Sequence, residues 1–150
     1  MKPFIVLLTV LIIALLAIKL ISGQYDFSLA GRIAMCAMLV FTAIGHFIYT
    51  QGMAMMIPAS VPFKTAMVYA TGVLEIIAAV CLLIPAAKIW AGWFLILFFI
   101  ALLPANVKAA LQHIDYQKAN TDGPGSTYLW FRIPLQVLFI VWVYLSSIRF

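Results

Sequence analysis

Thr65 to Ile84 reads TAMVYATGVLEIIAAVCLLI, a run whose single charged residue, Glu75, sits near its middle. About twenty consecutive apolar residues, at 1.5 Å per residue in a helix, cross the roughly 30 Å hydrocarbon core of a bilayer. The run is too long for an ordinary strand and shows no strict alternation, so it predicts a membrane-crossing helix. A carboxylate at that depth is costly unless it meets a cation, a proton or a wet cavity. What Glu75 faces is the question that leads from fold to function.

Outward from this run, four similar segments fill most of the chain. Phe4–Ile21, about Leu29–Thr50, about Ile89–Val107 and about Tyr128–Ile148 are apolar enough to span, which gives five transmembrane helices with Thr65–Ile84 as the third. The 150 residues are 67% hydrophobic and 9% charged, against about 25% charged in a soluble domain. A water-soluble body of this size has no interior large enough to hide so much apolar surface. Lipid admits only helices or closed barrels, so the expected fold class is an all-α, polytopic helix bundle forming one domain over residues 1–150. The first apolar run follows Lys2 as a signal peptide's would. It is long for such a segment and no small-residue cleavage pattern follows, so it reads as a retained helix.

Several function classes recede on composition. The net charge of +5 comes from nine scattered Lys and Arg, with no basic run for nucleic acid. Cys36 and Cys81 fall inside apolar segments without a CxxC pair, so no thiol redox motif, zinc knuckle or other metal site is expected. A single intramembrane histidine, His46, is one short of the paired ligands of an ordinary b-type haem, which leaves only His/Met ligation open, and no Gly-rich dinucleotide fingerprint is present. A self-contained redox enzyme is therefore not expected, and no covalent cofactor is implied.

The polar residues inside the spans are distributed unevenly. With an odd number of spans, the N-terminal side receives the end of the second span, the start of the third, the end of the fourth and the start of the fifth. His46, Glu75, Asn106, Lys108, Arg132 and Gln136 all fall in that half of the bilayer, on four helices. The arrangement predicts a polar cavity open to the N-terminal side, with His46, Glu75, Asn106, Arg132 and Gln136 as candidate ligand-binding residues. Arg132 is the first candidate partner for Glu75 and His46 the second. Simpler roles remain open: an ion pair fixing helix register, a snorkelling histidine, and amide side chains that bridge helices. Lys108 reads as an interfacial anchor, Arg32 as a residue that caps its helix or meets lipid headgroups, and His113, Asp115 and Asp122 as solvated loop residues. Pro104 should free the carbonyl of Ile100, and Pro134 should either do the same at its own i−4 position or mark a first helical turn. The connection QGMAMMIPASVPFK, residues 51–64, reads as a lid over the cluster or as a segment lying in the interface.

The motifs RIAMCAMLVFTAIGHF (32–47), MIPASVPF (56–63), ATGVLEI (70–76), LLPANV (102–107) and FRIPLQVLFIVW (131–142), in that order, resemble the DoxX-like family of small integral membrane proteins. The resemblance runs from Arg32 to about Tyr144. It implies a four-helix core to which the first helix is an addition. It also implies that Arg32, His46, Glu75, Asn106, Arg132 and Gln136 occupy the family's polar positions. Relatives implied by it include a membrane subunit associated with thiosulfate:quinone oxidoreductase, stress-linked proteins and, more distantly, the animal receptor-assembly protein NACHO.

Two functions of different class follow as expectations. One is a membrane subunit of a redox or stress-related complex, with a quinone or other lipophile in the polar cavity and electrons supplied by a partner subunit. The other is an assembly factor or scaffold in which the polar cluster is structural. A transporter is disfavoured because no internal repeat supplies a second half, while acid–base chemistry on a lipid stays open. The expected surroundings are the bilayer, a partner subunit or homo-oligomer, and no nucleic acid. Lys2, Lys64, Lys108, Lys118 and Arg132 on one side against Lys19, Arg32, Lys88 and Arg149 on the other lean towards a cytoplasmic N-terminus, and the family resemblance implies a bacterial inner membrane.

Overall fold

A computed structural model describes residues 2–150. The chain forms α1 (Lys2–Ser22), α2 (Phe27–Ile48), the short α3 (Thr50–Met56), α4 (Lys64–Leu83), α5 (Lys88–Leu111) and α6 (Leu129–Val143). A 3₁₀ turn at Ser126–Tyr128 leads into α6, and a π-helical segment, Tyr144–Arg149, continues it. All helices but α3 are long and apolar enough to cross a membrane, the last of them counted from Ser126 to Arg149. The fold is the expected all-α bundle of five long apolar helices, and the protein is a membrane protein.

Local chemistry sets the helix ends. Gly23, at φ 74°, takes the left-handed conformation that closes α1, and its amide donates to the Lys19 carbonyl at 2.9 Å. Asp26 then caps α2, its Oδ1 accepting the Leu29 amide at 2.8 Å. Tyr49, at φ −106° and ψ 34°, breaks the second helix immediately before Thr50, and Thr50 itself opens α3. Pro134 lies inside α6, five residues beyond its start at Leu129, rather than in its first turn.

Packing follows the antiparallel order of the spans. Helices α2, α4, α5 and α6 contact one another in a ring, while α1 packs chiefly on α2. Met35, Met38 and Leu39 of α2, Leu82 of α4, Leu95 of α5 and Val143 of α6 fill the centre, joined by Leu7 of α1. Small residues let the backbones close: Ala34, Ala78, Ala79 and Ala91 are all buried at helix contacts. At the end of the bundle away from the N-terminus, the end of α6 and the π-helical segment are clamped to α2. The Trp142 indole donates to the Gly31 carbonyl at 3.0 Å and the Ser28 hydroxyl to the Ser146 carbonyl at 2.9 Å. A Cβ on Gly31 would stand 3.0 Å from that of Ser146, so glycine here relieves a tight approach.

The outside is what a bilayer requires. Ile12, Ile13, Leu16, Val80, Leu97 and Val137 are exposed along their helices, a surface that water would penalise and acyl chains accept. Phe63, Trp90 and Trp130 are exposed at helix ends, where aromatic rings suit the membrane interface.

Candidate functional site

The face of α4 turned towards α2 carries Val68, Gly72, Glu75, Ala79 and Leu82, all buried. Glu75 lies about 16 Å into α4 at 1.5 Å per residue and is 4% exposed. Its partner is His46, whose Nε2 stands 3.3 Å from Oε2 of Glu75. The Thr42 hydroxyl lies 3.3 Å and 3.4 Å from the two carboxylate oxygens, and also reaches the Leu39 carbonyl at 3.0 Å. Thr42 and His46 are four residues apart on α2, so both project from one face onto Glu75.

The other ring nitrogen fixes how this pair works. Nδ1 of His46 is 3.1 Å from the Val68 carbonyl and 3.1 Å from the Thr71 hydroxyl. The Thr71 hydroxyl has the Met67 and Val68 carbonyls as acceptors at 3.0 Å and 2.9 Å. A carbonyl can only accept, so Nδ1 carries a hydrogen, and Nε2 is left to face the carboxyl group. One proton then has two homes: on Glu75, donated to a neutral imidazole, or on Nε2, donated to a carboxylate. The pair is neutral overall in both arrangements, which suits burial in a low-dielectric interior. Gly72 makes the contact possible, because a Cβ there would lie 2.8 Å from the Cβ of His46.

The remaining sequence-predicted residues lie apart from this contact. Among the described residues His46–Glu75 is the only ion pair, so Arg132 is not the partner of Glu75. Its guanidinium stacks on the Tyr128 ring one turn back along the chain, 5.7 Å from the centroid. Gln136 is buried and bridges α6 to α5, its amide donating to the Phe99 carbonyl at 2.8 Å. That acceptor is one residue before Ile100, whose carbonyl Pro104 deprives of its helical donor. Asn106 is buried with no side-chain hydrogen bond among the described residues. The predicted set thus divides between the α2–α4 contact, the α5–α6 bridge, the half-buried Arg132 near the start of α6, and Asn106 alone on α5.

Two features were missed from the sequence. Thr42 and Thr71 complete the pair, and their four-residue spacing from His46 and Glu75 was the signal. Lys108 is more than an interfacial anchor: its ammonium donates to the carbonyls of Met55 at 3.0 Å and Ile57 at 2.6 Å. It thereby closes the C-terminus of α3, where a cation complements the helix dipole. The Thr50 hydroxyl, at the other end of α3, donates to the His46 carbonyl at 2.8 Å. Residues 51–64 therefore hold a helix tied to both α5 and the His46 turn. Beside this latch, Leu103, Pro104, Val107, Lys108, Leu111 and Gln112 line a mostly apolar groove of about 520 Å³. Arg32 makes no helix cap; Asp26 does that work.

Among the described residues no three His, Cys, Asp or Glu side chains gather as a metal site would need. The chemistry on offer is acid–base exchange within the membrane, next to apolar surface. No curated protein and no solved structure matches the chain. Residues 35–147, which take in the His46–Glu75 pair, the Gln136 bridge and the Lys108 latch but leave out α1, match the family described as a domain of unknown function (DUF8561), and the chain belongs to that family.

Proposed function

We propose that the protein is a membrane subunit of a redox or stress-related complex, in which the His46–Glu75 pair exchanges protons with a quinone-like lipophilic ligand. The observation that carries this reading is the 3.3 Å contact between Nε2 of His46 and the buried Glu75 carboxyl group, with Nδ1 3.1 Å from the Val68 carbonyl. Quinone chemistry couples electrons to protons, so a membrane site for it needs an apolar slot and a group that gives and takes a proton. Phe47 and Tyr69 stack at 5.7 Å between centroids, on α2 and α4 next to the pair, and present ring surface to the lipid side. Electrons would come from a partner subunit. The resemblance to the DoxX-like family supports the same class of role, in a bacterial inner membrane with the N-terminus cytoplasmic.

A second reading has its own support. The Glu75 oxygens are all spent on His46 and Thr42, and the Gln136 amide on a helix bridge. An assembly factor, or scaffold, with a purely structural cluster would look like this. Mass spectrometry of small molecules extracted from the purified protein, beside a Glu75→Gln variant, separates the two. The redox reading expects a quinone or another defined lipophile at near-stoichiometric amount in the wild type and its loss from the variant. Equal bulk lipid in both would sink it and leave the scaffold.

A further inference from the structure

The chain has four acidic side chains, Asp26, Glu75, Asp115 and Asp122, and none of them reaches Arg32. Asp26 accepts the Leu29 amide. Glu75 is held by His46 and Thr42 in the other half of the bundle. Asp115 accepts the amides of Gln117 and Lys118, and Asp122 follows it in the same polar loop. Yet Arg32 is half-buried, and its Nε is sealed from solvent without a hydrogen-bond partner, the only buried side-chain polar atom so placed among the described residues. A donor stripped of water and given nothing in exchange points to a missing acceptor.

The location narrows what that acceptor is. Arg32 lies five residues into α2, about 7–8 Å below the helix start, within reach of the headgroup layer for a long side chain. Lys19, Lys88 and Arg149 share its end of the bundle, and Asp26 is the one acidic side chain there. The other cations are engaged: Lys19 bonds the Tyr25 hydroxyl at 2.9 Å, Lys88 the backbone oxygen of Phe150 at 3.2 Å, and Arg149 stacks on the Phe150 ring. A guanidinium presents a planar fork that matches a phosphate or carboxylate. At this depth, on a face with an excess of cations, phosphate is the oxyanion that the bilayer itself supplies. We propose that Arg32 is a binding site for the headgroup phosphate of a phospholipid at the membrane face opposite the His46–Glu75 pair.

The test uses the full chain in a neutral detergent and phosphate-free buffer, read by native mass spectrometry. Phosphatidylglycerol is titrated against dioleoylglycerol, which has comparable chains and no phosphate, and inorganic phosphate serves as a competitor. The wild type should hold phosphatidylglycerol at least tenfold more tightly than dioleoylglycerol. Arg32→Gln should abolish that preference, and Arg32→Lys should keep part of it. Where the glutamine variant fails to fold, the lipid comparison on the wild type together with Arg32→Lys decides. No preference in the wild type, or full preference in a folded Arg32→Gln, overturns the proposal. Displacement of the lipid by inorganic phosphate at equal concentration also overturns it, by making the site one for a free anion.

Discussion

The His46 ring is the smallest unit in which structure constrains chemistry. Because the Val68 carbonyl takes the Nδ1 hydrogen, Nε2 alone can change its proton, and it does so against Glu75. The chain has only two histidines, His46 and His113, so ¹⁵N-histidine labelling resolves the tautomer directly. In Glu75→Gln the expected signals are a protonated Nδ1 and a bare Nε2, since a carboxamide can donate to Nε2 but has no proton to transfer. A bare Nδ1 would refute the assignment. The same variant should unfold within about 1 kcal/mol of the wild type, because the amide keeps the shape and accepts from Thr42. His46→Ala should cost about 3–5 kcal/mol, read from unfolding in one detergent, because it strands a buried carboxyl group. Sequence could place Glu75 at mid-membrane depth beside both Arg132 and His46, but depth says nothing of azimuth. Arg132 points to Tyr128, and only packing through Gly72 brings His46 to the carboxylate.

At the scale of elements, continuous hydrophobicity was the legible signal and local closure was not. The five spans lie close to where the apolar runs placed them, with α5 extending past Val107 to Leu111. Helix α3 escaped because seven residues of Thr, Gln, Gly, Ala and Met have no periodic pattern to read. Its position depends on distant partners: Lys108 at its C-terminus, and Gly52, where any Cβ would collide with the Tyr116 carbonyl. Lys108→Met keeps the aliphatic stem and removes the donor. It should raise amide hydrogen exchange across residues 50–62 by about tenfold or more, as loss of charge-assisted bonds worth about 1.5–3 kcal/mol implies. Unchanged exchange there would mean that α3 is held by apolar contact alone. Gly72→Ala tests the α2–α4 seam: a Cβ 2.8 Å from His46 must push the helices apart, costing about 1–3 kcal/mol. It should also lengthen the His46–Glu75 contact, seen as a shifted Nε2 resonance.

For the whole molecule, the odd number of spans makes the two ends of the bundle chemically unequal. One carries the acid–base pair, α3 and the polar loop after α5; the other carries Arg32 and the clamped π-helical segment. Function in a membrane depends on which compartment each end meets, and nearly balanced Lys and Arg counts leave that to experiment. Gln24, between α1 and α2, and Ser60, between α3 and α4, are exposed at opposite ends. With Cys36 and Cys81 replaced by alanine, Gln24→Cys and Ser60→Cys each give one reactive thiol. A membrane-impermeant maleimide should label Gln24→Cys only in right-side-out vesicles and Ser60→Cys only in inverted ones, if the N-terminus is cytoplasmic. The reverse pattern would turn the protein over and bring the His46–Glu75 end to the outer compartment. Labelling of both from one side would break the five-span topology itself, because α2 and the short α3 would then have to leave the two loops on one face. The opposite-face result would put His46 towards one surface, with Glu75 at mid-depth beside it, and the Arg32 guanidinium towards the other.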